Sequence, residues 1–117
     1  MFLSPGDIGA VYLHVGYVDF RRGIVGLSSS VSREFLMDGK KVLFVFCNRS
    51  RNRLRVLYWD DSGFALWHKA LEKEKFKWPK RAEAEAKLSV EELRWLLRGI
   101  NIDAVKSHKK VSAKAFF

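Results

Sequence analysis

A run of six consecutive apolar residues, Val42 to Cys47, constrains the fold of this chain more than any other feature. A run of this length without a polar side chain is typical of a β-strand covered on both faces, because a half-buried strand alternates apolar with polar residues. A loop of Asn, Arg and Ser follows, and residues 53–59 then return as the second strand of a hairpin. The sequence therefore predicts a central, doubly covered strand with an antiparallel neighbour.

Three other stretches have the composition of strands. Residues 10–15 and 64–69 are short, apolar and bounded by turn residues, and residues 76–78 form a further candidate that Pro79 would stop. The turn before residue 64 reads Asp60-Asp61-Ser62-Gly63, which is too short to join parallel strands. We therefore expect an antiparallel meander.

Two segments have helical periodicity. Apolar residues recur every three or four positions over residues 20–35, and Asp19 stands where it can cap that helix. Ser89 and Glu92 form a capping box before a leucine-rich helix that ends near Gly99, whereas residues 80–87 predict a solvated linker or an exposed helical turn. The expected fold is a single α+β domain over residues 1–105, with a mainly antiparallel sheet of about four or five strands and two helices, followed by a basic tail at residues 106–117.

The charge of the chain is strongly positive and unevenly distributed. The net charge is +9, residues 40–60 hold six basic residues against one aspartate, and residues 106–117 hold four lysines and no acid. An excess of this kind favours an anionic partner, with nucleic acid ahead of a membrane surface.

The basic hairpin is the strongest functional candidate. A period of two places Arg53 and Arg55 on one face of the second strand, and the loop adds Arg49 and Arg51. Arginine forks match phosphate oxygens, and aromatic rings can stack on unpaired bases. The alternative is that the arginines simply face water while the tryptophans fill the core. The residues predicted to bind nucleic acid are Arg49, Arg51, Arg53, Arg55 and Lys69.

Catalysis has little support in the sequence. The three histidines lack metal-ligand spacing, the single cysteine, Cys47, ends a buried strand, and Asp60 and Asp61 have the composition of a turn. We expect no catalytic, cofactor or metal site; a hydrolase using Asp60 or Cys47 is the weakest alternative. A single cysteine and the lack of a leader or a long apolar run predict a cytoplasmic protein without a membrane partner.

In their order, these segments resemble the TnpB-type accessory protein, the second open reading frame, of the bacterial insertion-sequence family sixty-six. That family has Asp-Met-Arg-Lys-Gly-Phe-Asp-Gly-Leu after a strand and a glycine, and residues 19–27 read Asp-Phe-Arg-Arg-Gly-Ile-Val-Gly-Leu. The likeness covers about residues 10–103 and departs from the family at the loop Gly-Asp, here Arg51-Asn52, and at the Tyr and Arg positions, here His68 and Ala70. Further matches lie at Leu43 to Phe46, Asn48 to Leu54, Leu57 to Asp60, Gly63 to Lys69, Phe76 to Pro79 and Leu88 to Ile100.

The resemblance implies a part in transposition beside a separate transposase. We therefore expect a non-catalytic accessory protein of insertion-sequence transposition that binds DNA through the basic hairpin, with the transposase and other proteins of the same element as partners. The alternative is a protein–protein adaptor that docks the transposase and has little DNA affinity of its own. The acidic, leucine-rich residues 82–105 would suit an adaptor, although a helix packed in the core explains them equally well.

Overall fold

The protein is built on one six-stranded sheet. The structure, a computed structural model, describes residues 3–31 and 33–105, so the predicted basic tail lies outside the described residues. The order across the sheet is β5-β4-β3-β1-β6, with the short β2 paired to β3. The strands are β1 (Ile8–His14), β2 (Leu36–Met37), β3 (Lys40–Cys47), β4 (Arg53–Asp60), β5 (Gly63–Ala70) and β6 (Glu85–Leu88).

Strands β3, β4 and β5 form the predicted antiparallel meander. Val45 pairs with Val56, which in turn pairs with Trp67. Strand β1 inserts beside β3 and runs parallel to it, and it is antiparallel to β6 on its other side. The predicted α+β class with a mainly antiparallel sheet and two helices is confirmed.

Short turns set the register of these strands. The turn between β2 and β3 has positive φ at Asp38 (52°) and Gly39 (73°), the backbone that joins hairpin strands in two residues. Asp61 (φ 56°) and Ser62 join β4 to β5, so that Asp60 pairs with Gly63. The turn predicted at residues 60–63 is confirmed.

The first helix is shorter than predicted. Instead of one helix over residues 20–35, a 3-10 turn at Phe20–Arg22 precedes helix α1 at Gly23–Ser29. Gly23 has a φ of 67°, which lies outside helical backbone and separates the two elements. Asp19 caps the 3-10 turn as expected, because its side chain accepts a hydrogen bond from the backbone N–H of Arg21.

Helix α2 (Val90–Leu97) and residues 71–79 cover one face of the sheet, named here the α2 face. The predicted capping box is present: Glu92 N–H donates to the Ser89 hydroxyl oxygen, and the Ser89 N–H donates to the Glu92 carboxylate, each at 3.0 Å. The buried residues on this face include Val11, Leu13, Leu43, Val45, Leu54, Val56, Phe76, Trp78, Leu93 and Leu96.

The opposite face, the α1 face, is covered by α1 and the segments on either side of it. Its buried cluster comprises Ala10, Val18, Leu27, Val42, Phe44, Phe46 and Leu57. Alternate residues of β3 therefore pack into separate cores, because successive side chains of a strand point to opposite faces. The prediction that β3 is covered on both faces is confirmed.

Two of the predicted local assignments are wrong. Residues 76–78 are not a strand: the indole N–H of Trp78 donates to the carbonyl oxygen of His14 at 3.1 Å, and the segment packs on the α2 face instead of pairing along an edge. Residues 80–87 are not simply a linker, since Glu85–Leu88 pair with β1. Leu88 is buried and Glu85 forms an ion pair with Arg33, so tertiary partners fix this strand.

Candidate nucleic-acid interface

Strand β4 divides its side chains between the two faces as predicted. Leu54 and Val56 join the core of the α2 face, whereas Leu57 joins the core of the α1 face. Arg53 and Arg55 share the parity of Leu57, so both arginines belong to the α1 face. Arg53 is exposed and Arg55 is half-buried.

A groove lies on the α1 face between residues 17–21 and the end of the hairpin. The backbone N–H of Val18 donates to the carbonyl of Cys47 at 2.9 Å, which ties this segment to the end of β3. The groove has a volume of about 660 Å³. Its lining comprises Tyr17, Val18, Asp19, Phe20, Arg21, Asn48, Arg49, Ser50, Arg53 and Arg55.

The loop that forms one wall of the groove is held by Asn48. Its side-chain oxygen accepts the backbone N–H groups of Asn52 and Arg53 at 3.1 and 3.0 Å, and its amide donates to the Asn52 side chain at 2.8 Å. Arg51 adopts a φ of 60°, and its carbonyl accepts the N–H of Phe76 at 2.7 Å. These bonds fix the backbone positions from which the side chains of Arg49 and Arg53 extend.

The three lining arginines from the hairpin differ in how far they are engaged by the protein. Arg55 donates to the carbonyl of Phe20 at 2.9 Å and to Nδ1 of His68 at 3.2 Å, and its guanidinium carbon lies 4.5 Å from the centre of the Phe20 ring. The guanidinium of Arg49 lies 5.7 Å from the centre of the Tyr17 ring. Within residues 3–31 and 33–105, neither Arg49 nor Arg53 has a side-chain hydrogen bond or an ion pair with an acid, so both remain able to bind an anion.

One aspartate lines the groove, and an arginine neutralises it. Arg21 donates to both carboxylate oxygens of Asp19 at 2.7 to 3.0 Å. The hydrogen bonds from Arg21 lower the pKa of Asp19 to about 2, so the carboxylate stays ionised at neutral pH. Four arginines face this single aspartate around the groove, which leaves the groove electropositive.

The structure brings three of the five predicted binding residues together. Arg49, Arg53 and Arg55 line the groove, whereas Arg51 does not. Lys69 lies on the α2 face, where its ammonium group donates to the carbonyl of Leu97 at 2.9 Å and so satisfies the C-terminal end of α2. It helps to line a separate basic depression of about 440 Å³ with Trp67, Leu97, Arg94 and Arg98.

Sequence reasoning missed the other wall of the groove. Tyr17, Phe20 and Arg21 lie far from the hairpin in the chain and reach it only because β1 pairs in parallel with β3. His68, opposite Arg55 on β5, was also missed as a neighbour of this site. Burial, and then the charges of Arg55 and Arg53, lower the pKa of His68, which favours its neutral form. No local motif signals these contacts.

Cys47 and Asp60 are the residues that the hydrolase alternative would use. Cys47 is 1% exposed, and burial raises the pKa of its thiol to about 12. Asp60 ends β4 and accepts a hydrogen bond from the Lys41 ammonium at 3.2 Å. Within the part of the chain that the structure describes, no three Asp, Glu, His or Cys residues cluster as metal ligands, and no helix has the length and apolarity to cross a membrane.

Comparison with known proteins identifies the family. The uncharacterized protein y4jC of Sinorhizobium fredii (strain NBRC 101917 / NGR234) is 40% identical over 90 residues, covering 76% of this chain and 77% of that protein. The uncharacterized protein y4hO of the same strain is 32% identical over 102 residues, covering 85% and 87%. No solved structure matches the chain. The family model for IS66 Orf2-like proteins matches residues 9–107, and the chain therefore belongs to this family of insertion-sequence accessory proteins.

Proposed function

We propose that this protein is a non-catalytic accessory protein of insertion-sequence transposition that binds DNA through the groove on its α1 face. The observation that carries the proposal is the grouping of Arg49, Arg53 and Arg55 around one groove. An arginine without an acidic partner retains its donors for phosphate oxygens, and charge-assisted bonds of this kind are stronger than neutral ones. The family supports the setting, because the chain belongs to the IS66 Orf2-like accessory proteins of insertion sequences.

Besides the groove, the protein has a second basic surface, which we do not assign as the principal DNA contact. Lys69, Arg94 and Arg98 lie on the α2 face, behind the sheet from the groove. A DNA segment lying along the groove cannot contact that surface at the same time. One donor of the Lys69 ammonium group in addition already binds a helix carbonyl. We therefore assign the principal DNA contact to the α1 face.

A specific observation favours the adaptor as second candidate. The leucines of α2 are buried in the core of the α2 face, so they are not available to a partner. Helix α1, in contrast, presents Val25 at 81% and Ile24 at 38% exposure. Exposed apolar patches are typical of protein–protein contacts, and Val25 is the most exposed of the large apolar side chains in the described residues. A transposase-docking role would use this exposed side of α1.

Fluorescence anisotropy with the isolated protein tests the proposal. Duplex DNA from the ends of the element and random duplex of equal length are each titrated at low and at high salt, after circular dichroism has shown that the protein is folded. We expect binding to both duplexes that weakens steeply as salt rises, because phosphate contacts release counterions. Lack of binding at low salt, together with co-purification with the transposase that Val25→Glu abolishes, would favour the adaptor.

A further inference from the structure

We propose that the groove accepts an unpaired nucleotide, with the base against the Tyr17 ring and the adjoining phosphates at Arg49 and Arg53. The preferred ligand would then be DNA with a single-stranded segment, and not a continuous duplex. This inference rests on the proposed function, since it names the kind of DNA that the same groove binds.

The groove has the size of a small-molecule site. Its volume of about 660 Å³ lies within the range of small-molecule sites, roughly 300–1,000 Å³. An open groove of this size can accept one nucleotide, whereas a double helix could only rest on its rim. The arginines that line the groove are therefore better placed for the backbone of a single strand that enters it.

An exposed aromatic ring, Tyr17, lines the groove. Tyr17 is 54% exposed although it is large and mostly apolar, and it belongs to neither core. Within the described residues its hydroxyl group has no hydrogen-bond partner. A ring in this setting contributes little to the fold, but it offers a flat face on which any base can stack.

The guanidinium of Arg49 lies beside the Tyr17 ring. The Arg49 guanidinium lies 5.7 Å from the centre of the Tyr17 ring, so the cation on one wall of the groove and the ring on the other lie close together. Single-stranded sites combine cationic groups that follow the backbone with aromatic rings that stack on bases. Arg53 lines the same groove and supplies a second cation for the next phosphate.

Both walls of the groove are preorganised by hydrogen bonds. The segment that carries Tyr17 is tied to β3 through the Val18–Cys47 hydrogen bond, and the loop that carries Arg49 is closed by the side chain of Asn48. Both walls are therefore fixed before a ligand arrives. A fixed site has less conformational entropy to lose on binding, which favours affinity.

The test compares two probes and two substitutions by fluorescence anisotropy at one salt concentration. The probes are a mixed-sequence oligonucleotide and the blunt duplex of that same sequence. We expect the unmodified protein to bind the single strand more tightly. Tyr17→Ala should weaken single-strand binding by roughly 5- to 140-fold, the range for loss of one stacked base, and change duplex binding by less than about twofold. The matched substitution Tyr17→Phe keeps the ring and should retain single-strand affinity.

The contrary outcomes distinguish failure of the nucleotide site from failure of DNA binding. Equal losses on both probes, no loss with Tyr17→Ala, or a loss with Tyr17→Phe as large as that with Tyr17→Ala would overturn the nucleotide site. Tighter binding of the blunt duplex by the unmodified protein would overturn it as well. Those results leave DNA binding itself intact, whereas failure of the unmodified protein to bind either probe overturns the proposed function. Circular dichroism and urea unfolding of each variant exclude loss of the fold as the cause.

Discussion

The salt dependence of DNA binding gives the sharpest test of which arginines contact phosphate. The perturbation is the double substitution Arg49→Ala and Arg53→Ala, which removes the two groove arginines whose side chains have no hydrogen bond or acidic partner in the described part of the protein. Arg55 stays in place because it is already bound to the Phe20 carbonyl and to His68. The double variant should therefore lose phosphate contacts and keep the fold.

The magnitude follows from the number of contacts removed. Each phosphate neutralised on a duplex contributes about 0.9 to the slope of log K against log salt, so two contacts contribute about 1.8; on a single strand the corresponding change is about 1.4. If the two slopes differ by about 1.8, the ratio of the duplex affinity of the unmodified protein to that of the double variant falls by roughly twelvefold between about 50 and about 200 mM salt.

The assay is fluorescence anisotropy at four or more salt concentrations, and the control is Arg94→Ala with Arg98→Ala. That control removes the same charge from exposed positions on the α2 face. We expect the control to retain the slope of the unmodified protein. The reasoning fails if the control changes the slope as much as the groove variant does, or if the groove variant has an unchanged slope.

Three further predictions test the burial of Cys47, the burial of Leu93 and the lowered pKa of His68. The Cys47 thiol should react with a thiol reagent at pH 8 only after urea unfolds the protein, because it is 1% exposed and its pKa is about 12; rapid reaction of the folded protein would contradict its burial. Leu93→Ala should lower the free energy of unfolding in urea by about 2–5 kcal/mol, whereas Leu36→Ala, at a 46% exposed position, should change it by about 0.5 kcal/mol or less. Because burial and Arg55 lower the pKa of His68, the unfolded chain binds the proton more tightly, so stability should fall as the pH drops below about 6.5. His68→Gln should reduce this decline in urea-unfolding series, and an identical pH profile would show that His68 does not cause it.

The parts of the fold that the sequence predicts correctly have local causes. The meander follows from an apolar run, short turns and alternating residues, and the capping box of α2 lies within four residues. The assignment of Arg53 and Arg55 to one face needs only the period of a strand. In each case the signal and the structure that it specifies are close together in the chain.

The parts that the sequence misses depend on distant partners. Residues 80–87 alternate alanine with charged residues and lack the β-branched and aromatic residues typical of strands, so only pairing with β1 makes part of them a strand. The same long-range placement of β1 brings Tyr17 to the hairpin. The sequence prediction places Lys69 with the hairpin arginines, whereas in the structure it pairs with Leu54, a residue of the α2 face. The face on which Lys69 lies is known only once the turn at Asp61 and Ser62 sets the register of β5 against β4.

The position of β1 also has a consequence for the order in which the protein folds. The meander of β3, β4 and β5 closes through short loops, and such local contacts cost little loop-closure entropy. Strand β1 needs β3 on one side and β6 on the other, and β6 lies far from β1 in the sequence, after the meander. We therefore expect the meander to form first and the β1–β6 pair to close last. In hydrogen exchange, the amides of β6 would open at lower free energy than those of β4. The groove would form in the same order: its hairpin arginines, Arg49, Arg53 and Arg55, belong to the meander, whereas the wall with Tyr17 and Arg21 is added only when β1 docks.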